Sequence, residues 1–350
     1  MFVISSNIKH IDFKRGFMVN LTRKKGILFI VVLLFFALFQ VAGQNIRIAT
    51  IAPENSPWGE GLKRMAREWS RISNGRVRVS FFFGGIAGSE EDSIRKMRIN
   101  QLQGLALTSQ GINILSDAVL TLSSPRLVRN DEELAFILDE MKGTFDDFLR
   151  SENVEVMAWS QAGWLRLFSR TEIRTPDQLR RRSLALSPSD PGINRALNEM
   201  GFRGVEVDTS GVLTSLNSGL IDAFLYSPIG AAAFQWFAVA PFMLELEISP
   251  FLGAIIIDSR TWRQVPAQFR DEMIQVAEEI GAEIGSAIRQ LENQAIQTMT
   301  RFGLQRVQIS DAERQQWEAV FAEGNERALG LVFNRDIYRE AETLLQQRRR

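Results

Sequence analysis

From Asn45 onward, short β-branched or aromatic runs alternate with amphipathic helical stretches, and this alternation restricts the fold more than any other feature of the chain. "NIRIATI" (45–51) and "VRVSFFF" (77–83) read as strands, whose successive side chains point to opposite faces. Between them Ser56-Pro57 opens a helix. The serine caps free N–H groups, and proline at the first helical position has no N–H to lose. Leu62, Met65, Trp69 and Ile72 share one helical face, and Asn74-Gly75 ends it. A capping box from Ser89 to Asp92 starts a helix with Ile94 and Met97 inward, ahead of a strand over 105–108. Asp131 to Leu149 predicts one further helix, followed by a strand over 154–159. The pattern repeats through a short helix at Thr175-Pro176, a strand over 183–187 and a helix from Asp190-Pro191 with Ile193, Leu197 and Met200 inward. A strand over 204–207, a helix over 210–217 and a strand over 220–226 complete that unit. Such alternation predicts α/β architecture with largely parallel sheets.

The character changes after a strand over 251–258. Ala267 to about Phe302 reads as one long helix, with Phe269, Met273, Val276, Ile280, Ile284, Ile288, Leu291 and Ala295 at spacings of three and four. Gly281 and Gly285 weaken it where backbones can pack closely. A second capping box, Ser310 to Glu313, starts the first of two closing helices.

Lys+Arg and Asp+Glu stand at 41 each, so no net field recruits nucleic acid or an anionic surface. Arg180-Arg181-Arg182 is then a solvated face and not a nucleic-acid patch. At the amino end Arg23-Lys24-Lys25 precede "GILFIVVLLFFALF", and Val41-Ala42-Gly43 supply small residues before Gln44. This is the pattern of a secretory signal peptide over 1–43, with Met18 as the ordinary start and 1–17 as an upstream start. Its apolar run is short of the about 20 residues that span a membrane. The expectation is a soluble periplasmic protein after cleavage, and a membrane-tethered one if the signal stays. The chain has no cysteine, which rules out disulfides and lipobox acylation. Its single histidine, His10, lies before the cleavage point. The mature chain thus has neither residue of a Cys-His or Ser-His-Asp site, nor a His or Cys ligand for zinc. No nucleotide-binding or EF-hand motif is present. The expectation is no catalytic residue, no metal and no cofactor.

Several stretches together resemble one family. "RIATIAPENSPWGEGLKRMAREWSRISNGRVRVSFFFGG" is similar to the opening of DctP-type solute-binding proteins of TRAP transporters. "TPDQLRRRSLALSP" and "LNSGLIDAFLYSP" resemble two further family segments, and Trp262 to Pro266 with the long helix match in kind. The resemblance covers nearly all of Asn45 to Tyr338. It implies a two-lobed periplasmic-binding-protein fold with an interlobe cleft, hinge strands and a long helix spanning both lobes. Its lobes would comprise 44–162 plus about 250–290, and 163–249 plus about 291–350. The implied partners are a small-molecule ligand, TRAP permease membrane subunits and an accessory periplasmic protein. The alternative is a sensory or scaffolding protein that presents its ligand to a receptor.

The resemblance also exposes a departure. The family's carboxylate-clasping arginine falls at Ala185, and a second basic residue, in a G-x-R pattern, falls at Leu165. Arg166 is one step away, on the opposite strand face unless a bulge turns it back. Without the clasp a carboxylate would lose its hydration uncompensated, so the expected ligand is largely apolar or uncharged. The expected lining is Trp58, Trp164, Leu165, Ala185, Tyr226 and Trp236, with Phe234 a core residue. Ser109, Gln110, Gln161, Ser187 and Ser227 are the expected polar contacts, with Arg166 added if the bulge forms.

Overall fold

The computed structural model describes residues 43–188 and 191–350. The segment read as an export signal, His10 and the helix cap expected at Asp190 lie outside the described residues.

The chain opens with β1 (Gln44–Thr50), α1 (Pro57–Ile72), β2 (Val77–Phe82), α2 (Glu90–Arg98), β3 (Gly104–Thr108) and α3 (Ser109–Leu115). Helix α1 starts as its sequence dictates, with the Ser56 hydroxyl accepting the Gly59 N–H at 3.2 Å. Leu62, Met65 and Trp69 on its inner face are fully buried. The expected single helix over 131–149 is two, α4 (Asp131–Glu140) and α5 (Lys142–Ser151). The break falls at Met141 (φ −102°, ψ 9°), whose side chain is fully buried, and Gly143 just beyond weakens helical continuity.

Strand β4 (Val154–Ser169) runs sixteen residues, far past its expected end at 159. Then come α6 (Pro176–Arg180), β5 (Ser183–Leu186), α7 (Pro191–Glu199), β6 (Arg203–Glu206), α8 (Val212–Ser218), β7 (Ala223–Tyr226) and α9 (Pro228–Ala233). The closing part holds β8 (Phe242–Leu244), β9 (Ser249–Asp258), α10 (Ser259–Gln264), α11 (Ala267–Arg301), β10 (Gln305–Val307), α12 (Asp311–Ala328) and α13 (Arg335–Arg348).

The strands order β2-β1-β3-β9-β4-β7-β5-β6, with β8 on β4 and β10 on β8. The pairs β1–β3, β5–β6 and β5–β7 are parallel as expected, and β8 and β10, which the sequence reading did not pick out, also pair parallel. β9 and β4 run antiparallel to their neighbours, so the sheet is mixed where largely parallel pairing was expected. These two strands connect the lobes. β4 pairs with β9 from Val154 to Leu165, then exchanges partners and pairs with β7 over Arg166–Ser169. A register shift between Gln161 and Gly163 marks a bulge just before the exchange. Gly163 there has φ +115°, a backbone setting that disfavours any side chain.

Helix α11 is continuous over 35 residues, as its periodicity predicts. Its buried face carries Phe269, Met273, Ala277, Ile280, Ile284 and Ile288, then Glu292, Ile296 and Met299. The expected inward positions Val276, Leu291 and Ala295 are only half-buried, because a 3.6-residue period rotates the contact face along so long a helix. A Cβ at Gly281 would stand 2.6 Å from the Trp159 carbonyl oxygen, so this glycine lets α11 lie directly on β4. Trp69 Nε1 donates to the Met273 carbonyl at 2.8 Å and ties α1 to the same helix.

The two closing helices bind different neighbours. α12 packs on α7 and α6, with Glu313 taking Arg174 at 2.7 and 2.9 Å. α13 packs on α4, where Arg349 holds Glu133 at 2.8 and 2.6 Å and the Leu127 carbonyl at 2.7 Å.

Candidate ligand-binding cleft

Where β3, β5 and β7 end, their carboxyl termini converge on a cavity of about 370 Å³. Ligands in open α/β sheets gather at this end of the strands, because loops there present free side chains over the strand edges. Thr108 and Gln110 enter from the β3–α3 junction, Leu165 from β4 and Phe251 from β9. Ala185 and Ser187 enter from β5 and just beyond it, Phe224, Tyr226 and Ser227 from β7 and its end, and Trp236 from the turn after α9. No charged side chain is among the described residues that line it.

The apolar wall is aromatic. Tyr226 and Trp236 meet edge to face with centroids 4.9 Å apart, and Phe224 meets Trp236 at 5.2 Å. Phe234 stacks on Trp236 at 4.9 Å but is half exposed and lies outside the lining, so it is not the core residue expected. Burial pushes the Tyr226 phenol above its ordinary pKa, and among the described residues its hydroxyl has no hydrogen-bond partner. A neutral phenol aimed at the cavity can donate or accept.

Several polar groups at the rim are already committed. Ser227 caps α9 by accepting the Gly230 N–H at 3.2 Å. The Ser187 carbonyl takes the Asn194 side-chain amide at 2.8 Å. Thr108 gives both its N–H and its hydroxyl to the Glu90 carboxylate, at 2.6 and 2.7 Å. Burial raises the pKa of that carboxyl, against these hydrogen bonds. Among the described residues Gln110 carries no such tie, which leaves its amide free to turn toward the cavity.

Of the expected contacts, Gln110, Leu165, Ala185, Ser187, Tyr226, Ser227 and Trp236 meet at this cavity. Five others lie elsewhere. Ser109 is spent on β9, accepting the Leu252 N–H at 2.8 Å and donating to its carbonyl at 3.0 Å, and it borders only a small adjoining cavity. Trp58 packs in the core beside β9, its ring over the space that Gly253 leaves without a Cβ. Trp164 is buried and its indole donates to Asp131 at 2.7 Å. Gln161 also donates to Asp131 and accepts from Arg289 at 3.2 Å, on the far side of β4. The bulge before Gly163 does not bring Arg166 into the cleft. Its guanidinium donates to Glu247 at 2.8 Å and lines a separate charged cavity with Arg126, Arg314 and Glu318.

Sequence reasoning missed the floor of the cleft, formed by Ile193, Leu197, Val207, Val212 and Phe224. The available signal was strand alternation, since Phe224 and Tyr226 share a strand face. The three consecutive arginines lie on the end of α6 and the turn after it, as expected of a solvated run, with Arg180 paired to Asp177 at 2.7 Å.

Residues 48–328 match the family of bacterial extracellular solute-binding proteins, family 7. Among solved structures, a TRAP periplasmic solute-binding protein from Roseobacter denitrificans with bound β-D-glucuronate aligns at TM-score 0.74 and 19% identity, covering 87% of this chain and 99% of that one. A protein of the same description from Ralstonia eutropha, with bound (S)-2-acetolactate, aligns at 0.73 and 18%, covering 87% and 99%. One from Ochrobactrum anthropi, described with a C-terminus bound in the ligand-binding pocket, aligns at 0.80 and 16%, covering 89% and 97%. Among the described residues no helix is long and apolar enough to cross a membrane. A match over most of the chain, on a two-lobed frame whose crossing strands bound an interlobe cleft, places this protein in the DctP-type family of TRAP-transporter solute-binding proteins.

Proposed function

We propose that this protein captures a largely apolar or uncharged small molecule outside the cytoplasm and hands it to the membrane subunits of a TRAP-type permease. The observation that carries the ligand class is the pair Leu165 and Ala185, which face the cavity where the family resemblance puts basic residues. The relatives from Roseobacter denitrificans and Ralstonia eutropha hold a sugar acid and a keto acid. A carboxylate entering the present cleft would shed its water against Leu165, Phe224 and Trp236 without a guanidinium to replace it. Burial of about 200 Å² of apolar ligand surface at about 25 cal/mol/Å² supplies roughly 5 kcal/mol before association costs, which favours a sizeable ligand.

The lobes divide near Ala162-Gly163 on β4 and Pro250 on β9, and closure over ligand bends the chain there. The pairing of Gly163 with Phe251 and Trp164 with Pro250 supports this, since both breaks lie at one level of the sheet. An export signal over 1–43 delivers the chain to the compartment where it works.

Calorimetry against D-glucuronate, short keto acids and a panel of hydrophobic metabolites tests the reading. The expected result is no measurable heat with the acids and micromolar binding, with a negative heat-capacity change, for an apolar compound. Micromolar D-glucuronate binding would overturn it.

A further inference from the structure

Glu292 occupies the inner stripe of α11, two turns beyond Gly285, where an apolar side chain is the ordinary occupant. It is only 6% exposed. Its Oε1 accepts the Trp164 N–H at 3.0 Å and lies 2.6 Å from where a Cβ on Gly163 would stand. The carboxyl therefore fills the space above the bulge in β4. Among the described residues it forms no ion pair. The charged groups that face it are Arg166 on β4, Glu247 in the loop before β9 and Asp131 at the start of α4. Arg166 is held by Glu247 at 2.8 Å, and Arg289, one turn earlier on α11, lies 3.5 Å from Asp131.

The bulge matters because one extra residue inverts the facing of every residue after it. Gln161 pairs with Leu252 and Gly163 with Phe251, so Ala162 is that extra residue. Beyond it Leu165 faces the cleft and Arg166 the charged cavity. We propose that Glu292 is a positioning residue of the ligand cleft: by accepting the Trp164 N–H and filling the space over Gly163, its carboxyl holds the bulge in the setting that turns Leu165 inward and Arg166 away. The proposal rests on the cleft being the ligand site.

Burial raises the pKa of this carboxyl to about 7, with the Trp164 N–H and Arg166 opposing the shift and Glu247 and Asp131 adding to it. Its two forms therefore exchange near neutrality. The protonated form still accepts the Trp164 N–H through its carbonyl oxygen. The ionised form also draws on Arg166 and repels Glu247, which loosens their pair just beyond the bulge. Cleft affinity should be highest where Glu292 is protonated.

The test compares the wild-type chain with Glu292→Gln and Glu292→Ala at pH 6 and pH 8, using Nile red as a neutral apolar probe and D-glucuronate as a charged one. Circular dichroism checks that each variant is folded. Wild-type affinity for Nile red should weaken about five-fold from pH 6 to pH 8, following the ionisation of one coupled group. Glu292→Gln, which keeps an acceptor and cannot ionise, should bind at both pH values as the wild type does at pH 6. Glu292→Ala, which leaves the Trp164 N–H without its acceptor, should bind on the order of ten-fold more weakly at both. A folded Glu292→Ala with wild-type affinity and profile, or a Glu292→Gln that keeps the wild-type profile, would overturn the assignment. If Glu292→Ala does not fold, the Glu292→Gln profile decides. If the wild type takes D-glucuronate and not Nile red, the apolar reading of the cleft fails, and the same variants titrated with D-glucuronate still decide the role of Glu292.

Discussion

Two cavities lie on opposite faces of β4, and consecutive residues line them: Leu165 the cleft, Arg166 the other. The cleft holds about 370 Å³ without a charged side chain among its described lining. The second, of about 550 Å³, is lined by Arg126, Arg129, Arg166 and Arg314 and by Glu133, Glu245, Glu247 and Glu318. Its charges mostly answer one another. Arg126 meets Glu318 at 3.1 Å, Arg166 meets Glu247 at 2.8 Å and Glu133 holds Arg349 at 2.6 Å. These pairs join segments far apart in the chain, so the guanidinium groups near the hinge serve assembly. Among the described residues the Nε atoms of Arg126, Arg129 and Arg166 are buried without a partner, so this face is held together at a cost in unmet hydrogen bonds. The chain is thus rich in arginine near the cleft cavity, and none of these arginines is among the described residues that line it.

The sharpest way to break this comparison is to remove the most buried of those arginines. Arg126 donates to the Glu247 carbonyl at 2.8 Å and the Arg129 carbonyl at 3.2 Å as well as to Glu318. Arg126→Ala should cost about 3–5 kcal/mol of stability, because it leaves two carbonyls without their donor and Glu318 with Arg129 alone, 3.5 Å away. Denaturant unfolding measures this. A loss below about 1 kcal/mol would class the cluster with ordinary surface pairs.

Glu292 gives the next largest effect, and its sign is opposite to that of a paired carboxylate. Its pKa rises from 4.5 to about 7 on folding, so the native state holds the proton more tightly than the unfolded chain does. Stability from this group is complete below pH 4.5 and is lost as pH rises through about 7. The full loss is on the order of 3 kcal/mol. Glu292→Gln should flatten that segment of the profile, and urea midpoints from pH 5 to pH 8.5 would show it.

Installing the missing charge tests the cleft face directly. Ala185→Arg places a guanidinium on β5 at the cavity that Leu165 also lines, and affinity for D-glucuronate should rise by about 2 kcal/mol, roughly thirty-fold. Calorimetry on the two proteins measures the gain. An unchanged affinity would mean that β5 does not present residue 185 to a bound ligand.

Much of the frame was legible in the sequence, because local chemistry dictates it. The Ser56, Ser89, Thr175 and Ser310 caps all form where their residue types require. The cleft was legible where a residue ends a strand, as at Ala185, Ser187, Tyr226 and Ser227. It was not legible along β4. There a bulge resets the alternation, and Asp131, some thirty residues earlier, draws Gln161 and Trp164 to the far side. Glu292 escaped for a related reason: a glutamate within an apolar stripe reads as surface, and only the bare Gly163 above it makes the burial possible.

The smallest expected effect discriminates most finely between the two faces. Arg166→Ala removes the guanidinium nearest the cleft in sequence, yet that group lies with Glu247 behind the strand. Ligand affinity should fall by no more than about five-fold, the effect of losing the pair beyond the bulge, while stability falls by about 1 kcal/mol, since the pair is partly exposed and its loss is softened by water. Burial already raises the Glu247 pKa, and Arg166 restrains that rise. Its removal should push the carboxyl further up, so the stability deficit should widen as pH rises through the new value and shrink in acid. Parallel calorimetry and urea titrations on this one variant separate the two readouts. A large drop in affinity at unchanged stability would place Arg166 in the cleft and erase the distinction between the faces.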